Sequence, residues 1–163
     1  MLLAVAERVA EQVPELHVLL TGPARGYVRG GLDRLGIPYR HALLPDVDAV
    51  AEVYPGIDVC LVASRDEGGP RAVLESMATR VPLVTTRVGQ AADLVRHGEN
   101  GWMVEPEDVD GLVHWIQHVA SSSESDLEPV LAAGRAVAEC SSYDALRPRW
   151  RALLNGFVAL PGT

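Results

Sequence analysis

The sequence predicts an α/β protein: a Rossmann-like parallel sheet with helices on both faces and a helical carboxyl-terminal end. Three observations carry that expectation. Segments with apolar residues at helical spacing alternate with short apolar runs over about a hundred residues. The run Asp58-Val59-Cys60-Leu61-Val62-Ala63 is continuously apolar behind one acid, the pattern of a strand covered on both faces in a parallel sheet. From Asp108 onward only helical spacing remains.

Leu2, Val5, Ala6, Val9 and Val13 recur at helical spacing, and Pro14 closes that helix before a strand over Leu16 to Leu20. A second helix from about Ala24 carries Val28, Leu32 and Leu35 on one face and stops at Gly36, and Tyr39 to Leu44 reads as a weak strand. Val47, Val50, Ala51 and Tyr54 suggest a short helix ahead of the Asp58 to Ala63 strand. A helix then starts near Pro70, a buried strand covers Val81 to Thr86, a short helix Gln90 to His97, and a brief strand Trp102 to Val104. Leu112, Trp115, Ile116 and Val119 share one helix face, Ser121-Ser122-Ser123 is a break, and helices continue to about Leu160. The expected organisation is one domain over 1–163, with an αβ core to about residue 120 and a helical tail from about residue 121.

Composition narrows the function. With 163 residues and 48% hydrophobic content the chain can bury a sizeable core. A net charge of −8 argues against nucleic acid as a partner, since that needs a clustered basic face. All 14 Lys and Arg residues are arginines, so any anion must be met by Arg, backbone N–H groups and helix ends. Cys60 and Cys140 lack metal-site spacing and read as inert thiols of a reducing compartment. No apolar run approaches the roughly 18 residues of a membrane span, and Met1-Leu2-Leu3-Ala4 lacks a basic signal start. The expected location is cytoplasmic, with the inner face of the membrane as an extension of that expectation.

The chemistry concentrates in Ser64-Arg65-Asp66-Glu67-Gly68-Gly69-Pro70-Arg71-Ala72-Val73-Leu74-Glu75, where a strand should hand over to a helix. Free amides at such a turn bind phosphate through N–H groups and the helix dipole, while carboxylates accept bonds from hydroxyls. Pro70 has no N–H, so the cradle falls to Gly68, Gly69, Arg71 and Ala72. Gly22 follows the first strand in Thr21-Gly22-Pro23, where a residue without a side chain is a weak signal by itself. Arg65, Arg71 and Arg87 are candidates for diphosphate contact, Arg71 foremost. His114 and His118 stand four apart on a polar helix face without a third metal ligand, and His41 and His97 fall near element ends.

These residues carry a resemblance. Ser64-x-x-Glu67-Gly68-Gly69-Pro70, then Glu75-x-Met77-Ala78, then Pro82-Leu83-Val84, resembles the carboxyl-terminal domain of retaining GT-B glycosyltransferases, the group 1 family with an E-x7-E motif matched by Glu67 and Glu75. Gly89, Asp93, Leu94 and Val95 are similar to its next helix, and Gly98 to Asp108 to its G-x-x-G turn and P-x-D ending. The resemblance implies half of a GT-B fold that binds a nucleotide diphosphate sugar as co-substrate, with no cofactor and no metal. It gives Glu67 the catalytic position against the donor sugar, Glu75 the ribose hydroxyls, and the amides between them the diphosphate. It likens Gly22 to the glycine that lets the backbone approach the donor. It also implies hexose transfer with retention, an acceptor domain on the amino side that is absent here or supplied by a partner chain, and no transfer by this chain unaided. A nucleotide-sugar epimerase-like domain and a non-catalytic binding module are the alternatives. Arg80 stands where the family commonly has Gly and reads as a surface substitution. The tail Arg147 to Val158, basic then apolar, suggests peripheral membrane contact or, more strongly, a helix packed on this domain or crossing to the amino-terminal one.

Overall fold

Neighbouring residues of a strand face opposite sides of its sheet, and here they feed two different cores. Val84 joins Val5, Val9, Trp102, Val104, Leu112 and Ile116 on one face, whereas Leu83 joins Val62, Val73, Met77 and Met103 on the other. The computed structural model describes residues 1–69 and 71–158. Pro70 and residues 159–163 fall outside the described residues, and with them the proposed role of Pro70 at the turn and the last part of the tail.

The order is α1 (Leu2–Ala10), β1 (Val18–Thr21), α2 (Gly26–Leu35), β2 (Tyr39–Ala42), α3 (Val47–Val53) with a 3-10 turn Tyr54–Gly56, and β3 (Cys60–Val62). Then follow α4 (Arg71–Thr79), β4 (Leu83–Thr86), α5 (Gln90–Leu94), β5 (Trp102–Val104), α6 (Val109–Ser121), α7 (Glu124–Cys140) and α8 (Tyr143–Val158). All pairings are parallel. β1 lies beside β2, with Val18 opposite Tyr39, and β3, β4 and β5 form a second ladder with Cys60 opposite Leu83 and Val84 opposite Trp102. Helices α1 and α6 contribute to the Val84 core, and α4 to the Leu83 core with α7 packed on it. The expected α/β class with helices on both faces is therefore what the chain forms.

Several boundaries differ from the sequence reading. The first helix stops at Ala10 because a turn over Glu11 to Val13 precedes Pro14, and the second begins at Gly26 because Ala24 adopts φ 58°. The third strand differs in burial. β4 is buried along its whole length, but Cys60 and Leu61 of β3 are only half-buried, since the edge of β3 away from β4 lines a large cavity. Helix α5 ends at Leu94 rather than His97, because Val95 turns extended and Asn100 captures the loop. Its Oδ1 accepts from Arg96 N (2.7 Å) and its Nδ2 donates to Leu94 O (3.0 Å).

Arg80 is more than a surface substitution. It holds φ 61°, the left-handed conformation that glycine adopts most readily, and its guanidinium pairs with Glu128 of α7. The serine break is real: Ser123 accepts from Asp126 N and Asp126 bonds back to Ser123 N, a capping box that starts α7. The tail does not pack on this domain through its apolar stripe. Trp150, Leu153, Leu154 and Phe157 fall on one face of α8 and are each more than half exposed.

Asn100 is 6% exposed and closes the loop that carries β5 to its place. Asn100→Ala leaves two part-buried backbone groups, Arg96 N and Leu94 O, without their partner and is expected to cost about 1 kcal/mol, read as a lower denaturant midpoint with unchanged slope; an unaltered midpoint would count against this role.

Candidate functional site at the carboxyl edge of the strands

Within each ladder the strands run in the same direction, so the ends of β3 and β4 fall on one edge, where open α/β sheets hold ligands, and the residues after β1 and after β3 line one cavity. The residues after β3 are fixed there by β4. Thr86 Oγ1 donates to Ser64 O (2.6 Å), and Ser64 Oγ in turn donates to Glu67 Oε2 (2.6 Å). The Glu67 carboxylate is thereby oriented by its own strand end rather than left to wander.

Gly89 completes the clamp. It holds φ 48° and ψ −137°, and a Cβ there would stand 2.0 Å from Glu67 O and 2.7 Å from Gly68 O. Only a residue without a side chain lets α5 come so close, and Gln90 N then donates to Gly68 O (3.2 Å). The turn is thus held through its carbonyls by the start of α5.

Glu75 lies one helical turn beyond Arg71 on α4, whose first-turn N–H groups have no partner within the helix. Tyr54 Oη donates to Glu75 Oε2 (3.2 Å), and Arg71 Nε lies 3.6 Å from Glu75 Oε1. Burial, then the neighbouring Cys60 and Glu75, push the Tyr54 phenol above its usual range, so it stays a donor to that carboxylate. Burial likewise pushes the Cys60 thiol up from 9.0 to about 11, although one edge of its strand borders the cavity.

Gly22, Glu67, Arg71, Ala72 and Glu75 all line this one cavity, so five of the seven expected positions come together. Gly68 and Gly69 sit exposed on the turn just outside its wall. Gly22 holds φ 81°, and its carbonyl accepts from His41 Nε2 (2.7 Å) on β2, which gives that histidine a fastening role. Of the three candidate arginines, Arg65 is paired with Glu107 (2.5 Å) and Arg87 with Glu105 (2.7 Å), so both guanidiniums are already engaged by carboxylates. Arg71 alone of the three faces the cavity. His97 pins Met103 and packs edge-on to Trp115, as His114 does, and His118 packs on Trp102 and Trp115.

Sequence reasoning missed four contributors. Arg25 lines the cavity beside Gly22 and is held by its Nε bond to Thr21 O (2.9 Å); its position four residues past a strand end was the available signal. Thr86, Tyr54 and the clamping role of Gly89 depend on contacts between distant segments, and no local spacing announces them.

A parallel α/β sheet with two glutamates flanking a strand-to-helix turn on its ligand edge defines a class, and the comparisons specify it. Residues 1–122 match the family model described as glycosyl transferases group 1, and the chain belongs to that family. It is 32% identical over 109 residues to N-acetyl-alpha-D-glucosaminyl L-malate synthase of Bacillus anthracis, a match covering 67% of this chain and 29% of that relative. Its fold is similar to a glycosyltransferase from Rickettsia africae (TM-score 0.85, 16% identity, 98% of this chain and 45% of that one). It is similar too to Anabaena HepE in complex with UDP-glucose (TM-score 0.78, 19% identity, 93% and 44%). The chain thus spans less than half the length of each. Among the described residues no helix is long and apolar enough to cross a membrane.

Two outcomes test this site. Gly89→Ala forces either φ 48° on a residue with a side chain or a clash with Glu67 O, and is expected to cost about 1–3 kcal/mol; backbone shifts confined to residues 64–69 and 89–90 in an NMR spectrum would locate the damage. The folded-state values of Cys60 and Tyr54 are raised, so the stability gained by burying them neutral is complete below the ordinary thiol value and drains as pH rises toward about 11. Denaturation at about pH 8 and about pH 10 should show that loss, and Cys60→Ala should lessen it.

Proposed function

We propose that this chain is the donor-binding part of a glycosyltransferase, holding a nucleotide diphosphate sugar for transfer of its hexose with retained anomeric configuration. The observation that supports it most is the placement of Glu67 and Glu75 on opposite sides of the α4 start, in one cavity wall with Gly22, Arg25 and Arg71. Helix rise separates Glu75 from Arg71 by about 6 Å along α4. A diphosphate at the helix start would therefore place the sugar toward Glu67 and the ribose toward Glu75.

In this reading the N–H groups of Gly68, Gly69, Arg71 and Ala72 bind the diphosphate, and Gly22 allows it close to the backbone. The positive end of α4 and the guanidiniums of Arg71 and Arg25 meet the charge that grows on the diphosphate as the sugar–oxygen bond breaks. Glu67 accepts from sugar hydroxyls, and Ser64 keeps its carboxylate turned to them. Glu75, steadied by Tyr54, takes the two ribose hydroxyls. The acceptor side is supplied by an amino-terminal GT-B domain or a partner chain, without which this chain does not transfer sugar. The UDP-glucose bound by Anabaena HepE is the first donor to test.

Calorimetry with UDP-, GDP- and ADP-hexoses, each beside its nucleotide diphosphate, tests the division of labour. For the base that binds, Glu75→Gln should weaken nucleotide diphosphate and nucleotide sugar alike by about tenfold, the value of a lost charged hydrogen bond. Glu67→Gln should weaken only the nucleotide sugar. Equal losses for both ligands in both variants, or no binding of any donor by the unaltered chain, would overturn the assignment.

A further inference from the structure

Glu75 has a cationic or hydroxyl partner at each carboxylate oxygen, and the two partners differ in kind. At Oε2 the Tyr54 hydroxyl donates from 3.2 Å, on a side chain that is buried. At Oε1 stands Arg71 Nε at 3.6 Å, beyond hydrogen-bond length, on a side chain 76% exposed against 28% for Glu75. Tyr54 is a fixture, whereas Arg71 is a cover that can swing away.

Three features make that cover weak. Arg71 is the first residue of α4, so its positive charge sits at the positive end of the helix dipole. It precedes its carboxylate by four residues, the less favourable order for an ion pair on a helix. Among the described residues Glu75 is its only ionic partner, and water screens a pair this exposed. An anion arriving at the start of α4 removes the first conflict and offers the guanidinium a close, charge-assisted partner in place of a loose one. Tyr54 carries no charge for a phosphate to attract, and it stays. The exchange needs no backbone movement, because Arg71 and Glu75 already line one cavity a single helical turn apart.

We propose that Arg71 makes ribose recognition conditional on the diphosphate: it covers Glu75 Oε1 in the empty site and uncovers it when a phosphate draws the guanidinium off. This coupling rests on the donor reading above and adds a specificity rule to it. A ribose presents two hydroxyl donors. Oε2 keeps its bond to Tyr54 and has a second lone pair for one of them, whereas Oε1 takes the other only after Arg71 has left. A nucleoside brings ribose but no anion, so it meets a half-covered carboxylate. A nucleotide diphosphate brings both, and each group improves the site for the other by the same factor, as linkage requires. The site thereby discriminates against nucleosides beyond what the missing phosphate contacts alone would give.

Chemical-shift titration with uridine and with UDP, or with the guanine or adenine pair if that base is the one bound, separates the roles of Arg71 by sign. Arg71→Met keeps an unbranched stem and removes the charge. It should weaken UDP by about tenfold, the value of a lost charged hydrogen bond, yet strengthen uridine by about twofold to fivefold, the worth of an exposed ion pair released from Glu75. Adding Glu75→Gln to that variant should abolish the uridine gain. Inorganic diphosphate should raise the uridine affinity of the unaltered chain by a similar factor and leave that of Arg71→Met unmoved. A phosphate ligand without the covering role would weaken UDP and leave uridine unchanged, and a merely structural residue would weaken both. Either result would overturn the proposal, as would uridine bound by neither protein, a gain that survives Glu75→Gln, or no effect of diphosphate on the unaltered chain. Failure of the unaltered chain to bind any nucleotide diphosphate would instead overturn the donor reading itself, and this coupling with it.

Discussion

Everything at the ligand edge hangs on how β4 grips the turn that follows β3. Thr86 holds Ser64 by one hydrogen bond, Gly89 lets the backbone of α5 touch the carbonyls of Glu67 and Gly68, and Gln90 adds a bond to Gly68 O. Each contact is worth about a kilocalorie per mole, but they act on three consecutive stretches of one turn. They fix its carbonyls against the start of α5. A phosphate-binding turn needs its N–H groups aligned before the ligand arrives, since alignment paid for in advance is not charged against affinity.

Electrostatics follows the same division. In a chain with net charge −8 and no lysine, an anion site has to be made locally. Carboxylates neutralise Arg65 and Arg87 at the rim, where Glu107 and Glu105 reach them. Arg25 and Arg71 face the cavity, and the Arg71 partner is Glu75 at 3.6 Å, a long and loose pairing that a stronger anion can displace. Meanwhile Tyr54 holds the other oxygen of Glu75, so this carboxylate does not depend on the arginine for its position.

Much of this was legible in the sequence, for identifiable reasons. The alternation of helix and strand, the buried strand read over Val81 to Thr86 and the brief strand at Trp102 to Val104 are local patterns; the first strand forms over Leu83–Thr86, two residues shorter, and the second where it was read. Glu67 and Glu75 stood out because their spacing around Gly68-Gly69 is itself the signal. What could not be read depends on contacts far apart in sequence: the Tyr54 bond to Glu75, the His41 bond to Gly22, and Thr86 on Ser64. The half-exposed β3 escaped for the opposite reason. Its apolar run describes a strand covered by neighbours, whereas among the described residues only β4 pairs with it and its other edge lines the cavity.

The central claim is that one turn, with the glutamates at its two ends, is where a nucleotide sugar sits. Amide chemical-shift mapping of the isotope-labelled chain, titrated with UDP-glucose and with the GDP and ADP forms, tests it most directly. The result expected is a contiguous set of shifts at Gly22, residues 67–69, Arg71, Ala72 and Glu75, with the sugar-dependent part concentrated at Glu67. Shifts centred elsewhere, such as the α7 and α8 surfaces, or none with any of the three donors, would contradict it.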